Sequence, residues 1–129
     1  MRGASRAAFI MAREQLTATL QDQPGTAATV GEELFAVTHL LDQEPGVRRA
    51  LTDATSLTAA RNGLARRLLE GRVSAPTLDL VTGMADTRWS SSSDLADATE
   101  DLAVLATAAA AEGRLRKVGI GDSLPSRSR

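Results

Sequence analysis

Residues 74–89 read SAPTLDLVTGMADTRW, a stretch more apolar than one packing face requires. Ser74 and Pro76 open it as a helix, because a serine side chain accepts from otherwise unbonded backbone N–H groups and proline is tolerated in a first turn. At about 100° per residue, Leu78, Val81, Ala85 and Trp89 fall on one stripe. Leu80 and Met84 fall beside that stripe, so the apolar arc covers roughly half the circumference. Asp79, Asp86 and Thr87 hold the remaining side. So wide an arc places the helix centrally in a bundle or shares it between its own core and a partner.

Outward from this stretch, helix-period patterns recur and no period-2 strand stands out. The first helix is expected from about Ala4 to Gln21. Its main stripe is Phe9, Ala12, Leu16 and Leu20, and Ala4, Ala7, Met11 and Ala18 form a second, small-residue face. Gln23-Pro24-Gly25 ends it. Thr29 and Glu32 have capping-box spacing for a second helix with the stripe Val30, Leu34, Val37 and Leu41. Glu44-Pro45 breaks it and starts a short third helix. Thr58 is the expected cap of a fourth, with Leu64, Ala65, Leu68 and Leu69 inward and Arg61, Arg66 and Arg67 in solvent. Gly71 supplies its left-handed end.

The loop Ser90–Ser93 can cap a sixth helix, with Asp94 and Asp97 suited to the positive end of its dipole. Leu95, Leu102, Leu105 and Ala109 give it a stripe up to Gly113. The expected fold is all-α: a compact six-helix bundle over residues 1–113, followed by a basic, flexible tail over 114–129.

The chain has 129 residues, enough for one domain with a real core, and aromatics make up only 2% of it. The core must therefore come from Leu, Val and Ala, which favours close helix packing. No cysteine is present, which excludes disulfides and thiolate metal sites. A net charge of −1 argues against nucleic acid as the main partner. The charge is nonetheless uneven: the tail carries Arg114, Arg116, Lys117, Arg127 and Arg129 against Asp122. No apolar run approaches the ~20 residues of a membrane span.

No motif supports chemistry. His39 has no partner at metal-ligand spacing, no G-x-S-x-G surrounds any serine, and Gly119-x-Gly121 follows no strand. Catalytic residues, cofactors and metals are expected to be none. Paired acids such as Glu32-Glu33 point about 100° apart and are read as solvated faces. Arg48-Arg49 and Arg66-Arg67 are likewise read as solvent-facing. What remains is the doubled apolar character of the first and fifth helices, whose small residues Ala4, Ala8 and Ala12 permit close approach of a partner helix. Deep burial of both helices and a groove between them are equally open on physical grounds. A third class is a small all-α regulatory domain that binds nucleic acid through Arg61, Arg66, Arg67 and the tail.

Several segments resemble the delta subunit of F-type ATP synthases, whose mitochondrial counterpart is the oligomycin-sensitivity-conferring protein. They are R-G-A-S-R (Arg2 to Arg6), A-R-E-x-L (Ala12 to Leu16), E-L-F-A-V-x-x-L-L-D-x-E-P-x-x-R-R-A-L-T-D (Glu33 to Asp53), R-L-L-E-G-R-V-S (Arg67 to Ser74) and T-R-W-S-S-x-x-D-L-x-D-A (Thr87 to Ala98). The resemblance covers about residues 1–115 and implies the six-helix N-terminal domain of that family. It implies a non-catalytic stator subunit of the peripheral stalk, on the cytoplasmic side of the cell membrane, that holds the catalytic head against rotation. It also implies that an alpha-subunit N-terminal helix lies between the first and fifth helices. By position, the implied contacts are Ser5, Ala8, Phe9 and Ala12 with Leu78, Val81, Thr82 and Ala85, so Val81 and Ala85 are expected toward the partner and Leu80 and Met84 toward the core. In the family an acidic, apolar segment then leads to a second domain that meets the b subunit. Here Arg116 to Arg129 stands instead, so that domain is expected to be absent and the b contact weakened.

Overall fold

The computed structural model describes the backbone of residues 1–122 and the side chains of residues 1–115. Six helices pack together: α1 (Gly3–Asp22), α2 (Ala27–Gln43), α3 (Pro45–Leu51), α4 (Thr58–Leu69), α5 (Ala75–Ala85) and α6 (Ser92–Asp122). Among the described residues there is no strand, only an isolated bridge between Glu70 and Val73. The all-α expectation stands.

The widest contact in the bundle joins α2 to α6. It is built from small side chains on α6, with Ala98, Ala103 and Ala106 fully buried beside Leu102, and Val30 and Leu34 buried on α2. At Gly31 the backbones come close enough that a Cβ would stand 3.2 Å from the Thr107 backbone nitrogen. That selection of small residues explains a corrected expectation. Leu105, assigned to the inward stripe of α6, is 41% exposed, and the core is met instead by Leu95, Thr99, Leu102 and Ala106.

Several helix ends differ from the sequence pattern for local reasons. Pro24–Thr26 forms a 3-10 turn that runs directly into α2, so α2 starts at Ala27 and the Thr29–Glu32 capping box is not used. Thr26 closes that turn by donating its hydroxyl to the Gln23 carbonyl at 2.7 Å. Thr58 is the first residue of α4 rather than its cap. Gly71 takes a positive φ of 81° just past α4, as its position predicts. Ser91 accepts from the Asp94 N–H at 3.2 Å and so caps α6. The Gly113 stop is overridden. Helical backbone continues to Asp122, because glycine within a helix costs only about 1 kcal/mol and Arg-Leu-Arg-Lys follows it with good helix formers. The remaining part of the expected flexible tail, 123–129, lies outside the described residues.

Candidate helix-docking groove

Side chains from distant parts of the chain hold α5 in place. At its N-terminus Ser74 does not cap the helix with its own oxygen. Instead the Glu33 carboxylate of α2 accepts from the Ser74 N–H at 2.8 Å, the Ser74 hydroxyl at 2.6 Å and the Thr77 hydroxyl at 2.7 Å. A carboxylate there meets both unpaired donors and the positive end of the helix dipole. Glu33 is therefore not the solvated acid its neighbour Glu32 suggests.

At the other end, the Trp89 indole donates to the Met84 carbonyl at 2.8 Å. The Arg61 Nε donates to the Ala85 carbonyl at 2.9 Å. Arg61 also donates to the carbonyls of Asp53 (3.0 Å) and Ser56 (2.7 Å) and to the Thr58 hydroxyl (3.3 Å). It is 9% exposed, so the expectation of a solvent-facing arginine is corrected. A guanidinium at the C-terminal end of α5 satisfies one carbonyl that the helix leaves open, that of Ala85, and two of the loop before α4. Arg48 acts likewise on α2, donating to the Leu41 carbonyl at 2.6 Å.

A reciprocal pair ties α1 to the loop after α5. The Ser90 N–H donates to the Ser5 hydroxyl oxygen at 2.7 Å, and the Ser5 N–H donates to the Ser90 hydroxyl oxygen at 3.3 Å. The same Ser90 hydroxyl donates to the Arg2 carbonyl at 3.2 Å. This is a capping box closed through space rather than along one helix.

With both ends fixed, α1 and α5 leave between them a concavity of about 360 Å3, lined by Ala8, Met11, Ala12, Gln15, Gly83, Met84, Asp86 and Thr87. Ala8, Ala12 and Met84 are buried and form its floor, while Met11 is 60% exposed and stands as a wall. Gly83 keeps the α5 side low, and a Cβ there would meet only the end of the Gln15 side chain, at 2.9 Å.

The eight residues assigned by position are distributed unevenly. Ala8 and Ala12 line the concavity. Ser5 is fully buried and engaged with Ser90, and Phe9 is half-buried on another flank, with the Arg13 guanidinium 5.7 Å above its ring centroid. Leu78, Val81, Thr82 and Ala85 are buried, and none of them is among the lining residues. On α5, Leu80 and Met84 are buried in the core as expected, with Met84 also reaching the floor of the concavity, while Val81 and Ala85 are buried without lining it. Helix α4 packs on α5, and its Arg61 reaches the Ala85 carbonyl.

Met11, Gln15, Gly83, Met84, Asp86 and Thr87 line the concavity outside the assigned positions. The signal was present as the gap in the apolar arc of α5. Pro76, Asp79, Gly83, Asp86 and Thr87 share one side at helical spacing, and none of them is buried.

The nucleic-acid alternative loses its buried member, Arg61. Arg66 donates its Nε to Asn62 Oδ1 at 3.0 Å, and Arg67 is exposed. Among the described residues no cluster of three or more His, Asp and Glu is placed to hold a metal, and no helix is long and apolar enough to cross a membrane.

No family model matches the chain. It is 46% identical over 112 residues to ATP synthase subunit delta of Streptomyces griseus, an alignment covering 87% of this chain and 41% of that protein. It is 44% identical over 124 residues to the subunit delta of Streptomyces coelicolor, covering 96% of this chain and 45% of that protein. With the subunit delta of Kineococcus radiotolerans it shares 43% over 110 residues, covering 85% and 40%. The chain is thus homologous to ATP synthase subunit delta, over a span that makes up less than half the length of each of these relatives.

Proposed function

We propose that this chain supplies the head-binding domain of a peripheral-stalk subunit of a proton-translocating F-type ATP synthase. In that role it takes no part in catalysis. It docks an N-terminal helix of an alpha subunit in the groove between α1 and α5 and so helps hold the head still while the rotor turns. Attachment is peripheral, on the cytoplasmic side of the cell membrane, through the other subunits.

One observation carries this reading: in a homologue of subunit delta, the α1–α5 seam is a concavity over small side chains, Ala8, Ala12 and Gly83, beside an exposed Met11. Helix-in-groove recognition needs a floor low enough for two backbones to approach and a few apolar anchors. Of the residues assigned by position, Ala8 and Ala12 are the direct contacts in this proposal. Ser5, Leu78, Val81, Thr82 and Ala85 shape the floor from beneath, and Phe9 supports α1 from its other flank.

Trp89 is the only tryptophan, and its indole is bonded to the backbone of Met84, a floor residue. A synthetic peptide of the alpha-subunit N-terminus should shift or quench its emission with saturation. No response at tens of micromolar, confirmed by calorimetry, would refute the proposal.

A further inference from the structure

The α5 edge of the groove is acidic at Asp86, with Asp79 outside the lining and the exposed Arg88 two residues beyond Asp86. Asp86 is the one ionisable residue among the eight that line it. Asp79 lies seven residues earlier on the same exposed side of α5, two helical turns and about 10.5 Å away at 1.5 Å per residue. Helix α5 contains no basic residue. The opposing wall on α1 carries Ala4, Ala7, Met11, Gln15 and Ala18 at helical spacing, with the exposed acid Glu14 beside Met11 and no basic residue among them. Arg13 is committed to the Phe9 ring, and Arg6, seven residues before it, shares that flank.

Asp86 is also held in place. Arg66 donates to Asn62 Oδ1, and the Asn62 Nδ2 donates to Asp86 Oδ1 at 3.1 Å, so one carboxylate oxygen is oriented while the other remains able to accept.

We infer that the groove reads its helix by charge as well as shape. The helix that fits carries two basic residues seven positions apart, aligned with Asp79 and Asp86, and an apolar flank against Met11. This rests on the reading of the groove as a helix-docking site and adds the rotation of the docked helix about its own axis. Exposed pairs of this kind contribute modestly to affinity and more to orientation and partner choice.

The test uses two synthetic amphipathic helices of identical Leu/Ala sequence, one with Lys and one with Glu at two flanking positions seven apart. Each is titrated into the chain at low and high salt, with Trp89 emission as readout. The Lys peptide should bind about tenfold tighter at low salt, an advantage that shrinks at high salt through screening. Asp79→Asn with Asp86→Asn should reduce the advantage to about twofold, and Asp79→Lys with Asp86→Lys should reverse it. Both positions are exposed, so circular dichroism should show an unchanged fold.

Equal binding of the two peptides, or an advantage untouched in the variants, overturns this inference and leaves the groove reading standing. Failure of both peptides and of the alpha-subunit peptide overturns both. Self-association abolished by the Lys variants would assign the edge to a second copy and overturn it too.

Discussion

Gly31 and Gly83 both sit within helices, and the same substitution at each should change stability in opposite directions. Replacing a glycine within a helix with alanine gains about 1 kcal/mol from helix propensity at Gly31 and somewhat less at Gly83, which lies in the last turn of α5. At Gly83 the added methyl meets the Gln15 Oε1 at 2.9 Å, the far end of an exposed side chain that can rotate away. The gain should survive, and Gly83→Ala should stabilise by about 0.5–1 kcal/mol. At Gly31 the methyl meets the Thr107 hydroxyl at 2.6 Å, and its backbone nitrogen and Cα at 3.2 and 3.4 Å. A hydroxyl can turn, but a helix backbone cannot, so α2 and α6 must separate along the widest contact of the bundle. Overpacking of this sort costs about 1–3 kcal/mol, which leaves Gly31→Ala neutral to about 2 kcal/mol destabilised after the propensity gain. Urea unfolding of the two variants measures the difference directly, and an unchanged m-value would show that the native state has not loosened. Thr107→Ala alongside Gly31→Ala should recover only part of the loss, since the backbone contacts persist. If both glycine variants shift stability the same way, the close approach of α2 and α6 is wrong. Gly83→Ala should also weaken the alpha-subunit peptide, because the methyl raises the groove floor, and tighter binding would count against that floor.

Glu33→Gln keeps one acceptor but removes the charge at the start of α5 and should cost about 1–2 kcal/mol in urea unfolding; a loss below 0.3 kcal/mol (about the scatter of such values) would mean the cap is idle. Arg61→Lys places a single ammonium where four acceptors are spread along a fork, so it should lose about 2–3 kcal/mol despite keeping the charge. The Asp53 carboxyl is held below its ordinary value, first by the Thr55 hydroxyl, then by the Thr55 N–H, with the Arg61 charge adding to them and burial opposing. A lowered folded-state pKa contributes stability above the ordinary carboxylate value and loses it as pH falls through the folded one. Thr55→Val should therefore move the Asp53 titration upward in carbon-detected NMR, and no movement would remove the hydroxyl as the main cause.

The helix inventory was legible because apolar spacing, prolines and Gly71 are local signals. What escaped was set by contacts between distant residues. Glu33 looks like Glu32 in sequence, and only the approach of α2 to Ser74 separates a cap from a solvated acid. Arg61 sits next to Asn62 on a helix with further arginines, and its burial follows from the α3–α4 loop folding over it. The wide apolar arc of α5 was visible, yet apolarity could not say which neighbour covers which part. The groove side was marked by the absence of large side chains, at Gly83 and Ala8, and a pattern search for anchors passes over such positions.

These contacts bear on how the groove can bind. Four parts of the chain converge on α5: Glu33 of α2 at its start, Arg61 of α4 and Trp89 of the following loop at its end, and Ser5 of α1, which pairs with Ser90 to seat α1 beside it. None of these side chains is among the residues that line the concavity. The floor is therefore positioned by interactions that a docking helix neither makes nor breaks. A partner then loses less free energy to ordering the site, and its affinity depends on its own folding and on surface match. Variants of the two classes should separate accordingly. Changes at Glu33 or Ser90 should lower stability and weaken binding only as far as α5 shifts, whereas changes at Met11 or Gly83 should alter binding with little loss of stability. Equal effects on both quantities in both classes would mean that the groove forms only when it is filled.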